Sequence, residues 1–214
     1  MTNNYPKISY QEKINNLSQS FDLLSADIIS IEGFFYRTIN YRYSFDPLST
    51  KGAEITGGRY NFKPKSGQSF SCLYCGNEEF TATIEKYYNL KISDQPRPPH
   101  TTVSIEVKLS KILDLRTPEM CQKAGIDWYN INQSWTYDQD VLGRPSYTQE
   151  IGRLVYEDGG IEGIIFTSTK NPQGSCLAIY TQRMLLGSYI SVYDPNNELP
   201  ETNKIITGLS TLPD

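Results

Sequence analysis

The chain has 214 residues, 38% of them hydrophobic and 21% charged, enough to build a packed core and too apolar for a disordered chain. A net charge of −4 excludes a general nucleic-acid binder, which needs a basic face to displace counterions, although a local basic pocket stays open. No apolar run is long enough to span a membrane, and the polar start MTNNYPKISYQ lacks the apolar centre of a signal peptide, so a cytoplasmic protein is expected.

Residues 9–29 carry Ile14, Leu17, Phe21, Leu24 and Ile28 at helical spacing behind a Ser9/Glu12 capping pair, which predicts one amphipathic helix. FFYRTI (34–39) is aromatic and β-branched, hence a strand. The following YRYSFDPLSTKGAEITGGRYNFKPKSG is rich in Gly, Pro, Ser and Asp and reads as loop, yet it displays arginines and aromatics. QSFSCLYCG (68–76) is strand-like. EEFTATIEKYYNL (78–90) is helical, with Asn77 as its expected N-cap and Phe80, Ile84, Tyr87 and Tyr88 as its apolar stripe.

After the proline-rich break at 93–100, residues 101–115 alternate as one or two strands. A short helix near 117–124 leads into a polar, aromatic stretch that holds both tryptophans. SYTQEIGRLVYEDGG (146–160) is a helix that stops at Gly159-Gly160. IEGIIFTST, SCLAIY and GSYISVY are strand-like, and the tail from Asp194 is polar. The pattern is α+β, a single mixed α/β domain. Its expected divisions are an N-terminal helical extension (1–33), the main domain (34–193) and the polar tail (194–214).

Cys72 and Cys75 have the spacing that opens many zinc and redox sites. No second cysteine pair exists, Cys121 and Cys176 stand apart, and His100 is the one histidine, so four converging ligands are lacking and no metal is expected. Side chains three apart on a strand face opposite ways, so the two thiols should diverge. A serine–histidine triad would rest on His100 alone, and no phosphate-binding glycine motif is present.

What remains is Arg37 at the end of an aromatic strand, the glycine-hinged Gly57-Gly58-Arg59-Tyr60-Asn61, Tyr74 on a strand, and Glu85 on the next helix. At about 100° per residue Glu85 falls beside Thr81, at the edge of the buried face, where a carboxylate can look into a cleft.

These features occur in an order that resembles the RES-domain family, named for an arginine, a glutamate and a serine. An early Tyr-Arg, then DPLSTKGA, GGRYN, a strand ending in Leu-Tyr and a helix carrying ATIE match in turn. TQEIGRLVYEDGGIEGIIFTSTKNPQGSCLAIY resembles the family's C-terminal piece, which aligns Ser168 with the family serine and leaves Ser175 as second choice. The likeness spans roughly residues 34–180. Two departures stand out: Tyr60 replaces a common tryptophan, and the Glu-to-Ser interval is long, which places extra chain within 94–146.

The resemblance implies a fold similar to ADP-ribosyltransferases, with small central sheets flanked by helices. It implies a toxin that destroys NAD by phosphorolysis or hydrolysis, with NAD and inorganic phosphate as substrates, no resident cofactor, and a protein antitoxin that occludes the cleft. Mono-ADP-ribosylation of a protein and a non-catalytic binding module are the alternatives. Glu85, Arg37 and Arg59 are the implied catalytic residues. Tyr74, Tyr60, Ser168 and Gly58 are the implied substrate contacts, with Tyr74 stacking on the nicotinamide ring or donating its hydroxyl.

Overall fold

A computed structural model describes residues 9–63, 70–199 and 203–207. The expected strand start at 68–69, the first eight residues and much of the tail lie outside them. In chain order the elements are α1 (Tyr10–Ser20), β1 (Ile28–Asn40), α2 (Lys51–Thr56), β2 (Leu73–Gly76), α3 (Glu79–Ile92), β3 (His100–Leu115), α4 (Pro118–Lys123) and α5 (Trp128–Ile131). They continue with α6 (Tyr147–Asp158), β4 (Gly163–Thr167), β5 (Ser175–Ile179), β6 (Tyr189–Val192) and β7 (Lys204–Ile206). Among the described residues no helix is long and apolar enough to cross a membrane.

One mixed sheet organises the chain in the order β1-β2-β5-β4-β3-β6-β7, and β1 also pairs with β3, so five of the strands close into a ring. The two long strands run antiparallel from Ile28 opposite Leu113 to Asn40 opposite His100. β3 is long enough to hold two neighbours on its other edge, β6 along 105–108 and β4 along 112–115. The β3–β4 pairing is parallel, and the remaining pairings are antiparallel. At its weakest seam the ring closes through Tyr36 opposite Gly76.

Strand alternation divides the core in two. Leu73, Cys75, Ile165, Leu177 and Ile179 point into the ring with Phe35, Ile105 and Val107. Cys72, Ile164, Phe166, Cys176, Ala178 and Tyr180 point the other way, under α1, α4, α5 and α6. Each fully buried Leu or Ile contributes about 1.5–3 kcal/mol of transfer free energy. The thiols of Cys72 and Cys75 therefore enter different cores, as expected.

Several expected elements are redrawn. α1 ends at Ser20, where the Phe21 N–H caps the Leu17 carbonyl. Leu24 is 99% exposed and Ile28 already belongs to β1, so the helical spacing ran on by coincidence through a turn and into a strand. α2 arises inside the stretch read as loop. Residues 101–115 form a single strand. β7 pairs the polar tail with β6. On α3, Phe80 is 60% exposed and the buried face runs through Thr81, Ala82, Ile84 and Tyr87. Asn77 ties onto β5, accepting from the Ser175 N–H at 2.7 Å. α6 matches its prediction, with a Ser146/Gln149 capping box and left-handed Gly159 at its end.

Candidate active site

A cleft of about 680 Å³ opens along the thin β1–β2 seam, within the size range of small-molecule sites. β1 supplies Tyr36 and Arg37, β2 supplies Tyr74 and Cys75, α3 supplies Glu85 and Lys86, and the loop after α2 supplies Gly57 to Arg59.

Glu85 and Ser168 meet on one wall. Ser168 Oγ accepts from the N–H groups of Lys170 (3.1 Å) and Asn171 (2.9 Å), so its own hydrogen is turned toward Glu85 Oε1, 2.5 Å away. That length suits a hydroxyl donating to a carboxylate. Ser168 is otherwise buried, and among the described residues no other hydrogen bond reaches the Glu85 carboxylate, which leaves it acceptor capacity toward the cleft. The turn 168–174 is itself tied to the start of α3, because Asn171 Nδ2 donates to Glu78 Oε1 and Thr81 Oγ1, both at 2.8 Å. Ser175 opens β5 and is not among the residues lining the cleft.

Arg37 donates through Nη2 to the Ser49 carbonyl at 2.7 Å, and its Nη1 is buried with no partner. This explains the DPLS stretch: Leu48 is buried in the ring core, and its neighbour anchors the arginine. Burial pulls the guanidinium down to about 10, still charged at neutral pH. Lys86 also lines the cleft, and burial and Arg37 lower its ammonium. The Arg37 charge thus disfavours a second cation beside it, and an anion placed between the two would relieve both. Among the described residues neither Arg37, Arg59 nor Lys86 makes an ion pair.

Arg59 closes the opposite wall, donating to the Ile131 carbonyl at 2.9 Å and to Thr169 Oγ1 at 3.3 Å. Its loop is held by tertiary bonds. Tyr74 Oη accepts from the Tyr60 N–H (2.8 Å) and donates to Asn61 Oδ1 (2.9 Å). Gln149, buried on α6, donates to the Gly58 carbonyl at 3.0 Å and to Gln139 Oε1 at 2.8 Å. Gln139 in turn donates to the Thr56 carbonyl at 3.0 Å. Gly58 is required here: a Cβ would lie 2.6 Å from Tyr74 Cε2. Gly57, at φ +73°, would meet Gln139 Oε1 at 2.1 Å.

Two sequence expectations are corrected. Tyr60 has no exposed surface; it packs edge-on against Phe166 in the helix-side core and does not line the cleft. Tyr74 lines the cleft, but its hydroxyl is committed to the 58–61 loop and is not free to donate to a ligand. Lys86, Asn61, Gln139, Gln149 and Thr169 were missed. They are ordinary polar residues in sequence, and nothing local marks their partners. The cysteines are buried, and burial raises all four thiols, Cys75 and Cys121 to about 12. Among the described residues no three His, Cys, Asp or Glu side chains cluster to hold a metal. His100 lies outside the cleft, exposed against Tyr87.

No curated protein matches this sequence. Among solved structures, the crystal structure of the M. tuberculosis MbcT–MbcA toxin–antitoxin complex contains a chain with a similar fold. The TM-score is 0.57 at 18% identity, over 85% of this chain and 89% of that one. The family model for the RES domain matches residues 34–197, the stretch that carries both walls of the cleft. The chain belongs to the RES domain family.

Proposed function

We propose that this protein is an NAD-degrading enzyme that breaks the nicotinamide–ribose bond, and that it acts as a cytoplasmic toxin restrained by a protein antitoxin. The observation that carries the reading is a carboxylate, Glu85, facing cations without ion-pair partners across one cleft.

The chemistry follows from where charge moves. In NAD the nicotinamide is cationic, so it leaves with the bonding electrons as a neutral molecule while positive charge develops on the ribose, as in glycoside cleavage. The Glu85 carboxylate stabilises that charge and accepts a ribose hydroxyl, and Ser168 keeps it in place. Arg37 and Arg59 hold the pyrophosphate with planar donor pairs that lysine lacks. Lys86 adds a third cation, near Arg37. Water attacking the ribose yields ADP-ribose and a proton; inorganic phosphate attacking yields ADP-ribose-1″-phosphate. A fold resembling that of a toxin from a toxin–antitoxin complex supports the antitoxin partner.

The test is to incubate purified protein with NAD, with and without phosphate, and follow nicotinamide release and the ribose product. NAD left intact under both conditions refutes the reading. Label from NAD retained on a protein would move it to ADP-ribosyl transfer.

A further inference from the structure

The two tryptophans have different surroundings. Trp128 packs against the helix-side core. Trp135 joins neither core among the described residues. It lines the same cleft as Ile55, Thr56, Gly57 and Arg59, and it also borders a separate cavity of about 180 Å³ between α1 and α6. A large, half-buried indole with open space on two sides is not held there by core packing.

Its backbone is nevertheless well anchored. Four residues on, Gln139 is bonded to the Thr56 carbonyl and to Gln149. Asp138 accepts from Arg144 at 2.9 Å, and the Arg144 guanidinium lies 3.7 Å from the Tyr10 ring centre. The same amides that hold the Arg59 loop therefore anchor the segment that carries Trp135 on the cleft. Tyr74, the aromatic that sequence assigned to stacking, lies against Gly58 with its hydroxyl already used.

We infer that Trp135 is a specificity-determining residue, a flat platform on which one heteroaromatic ring of the dinucleotide stacks. The inference rests on the NAD reading above. The ring is nicotinamide or adenine; both offer the same π-face to an indole.

The experiment uses the full chain carrying Trp128→Phe, so that Trp135 is the sole tryptophan reporter. Its fluorescence is titrated with NAD, with nicotinamide mononucleotide and with AMP, and steady-state kinetics are measured for Trp135→Ala and Trp135→Phe. Saturable quenching by NAD and by one mononucleotide is expected, and identifies the ring. Trp135→Ala should raise KM for NAD about 10-fold with kcat nearly unchanged, and Trp135→Phe should recover most of the loss. NAD cleaved with unchanged KM and a silent indole overturns the platform alone. NAD left intact while a mononucleotide quenches the indole supports the platform and refutes cleavage. Silence toward all three ligands overturns the platform, even if Trp135→Ala does not fold.

Discussion

On one wall of the cleft, Glu85 sits on α3, and Ser168 follows β4 directly in a turn pinned by the Lys170 and Asn171 N–H groups. On the other, Arg59 sits in a loop that owes its shape to Tyr74, Gln139 and Gln149, side chains 10 to 91 residues away from their partners. The first wall also joins distant segments, Ser168 to Glu85 and Asn171 to Glu78, but its carboxylate is carried by a helix. The second depends on buried amides, each of which loses about 1–3 kcal/mol if its partner is removed. Consecutive residues join them: Ser168 donates to Glu85 and Thr169 accepts from Arg59.

The largest expected effect lies on the first wall. Glu85→Gln should lower kcat about 100- to 1,000-fold while the thermal unfolding midpoint stays close to wild type, because the side chain sits at the edge of the core. Ser168→Ala, which leaves the carboxylate charged, should cost less. Equal losses would mean that the pair acts as one unit.

Arg37→Lys separates the two arginines next. Burial lowers Arg37 to about 10, and a lysine, with an ordinary value of about 10.4, would be pulled toward neutrality in the same place. Burial disfavours the charged form, so raising pH removes the cation that the anion needs. kcat/KM of Arg37→Lys should fall as pH rises from 7 to 9, while wild type stays level across that window. A flat Arg37→Lys profile would mean that the buried cation is not required.

Gly58→Ala tests the second wall. Its Cβ would press on Tyr74 and Asn61, with a cost of about 1–3 kcal/mol in chemical denaturation. Gly52→Ala, in the open on α2, should be neutral or stabilising. The smallest effect belongs to Cys72→Ala with Cys75→Ala. With both thiols held protonated by burial in separate cores, kcat/KM should change by no more than about twofold; a tenfold loss would give the thiols a chemical role.

Sequence by itself determined what short-range geometry controls. Period-two alternation separated Cys72 from Cys75, helical spacing placed Glu85 at the edge of a buried face, and Gly159 ended α6. These follow from dihedral preferences acting within a few residues, which the order of side chains records directly. Only the tertiary structure decided that α1 stops at Ser20, that Tyr60 belongs to the core and that Tyr74 braces a loop. It also decided that Glu85 finds Ser168 across 83 positions and Arg59 finds Thr169 across 110. Those partners are chosen when β1 and β3 close the ring and its thin seam opens as a cleft, and no local pattern carries that information.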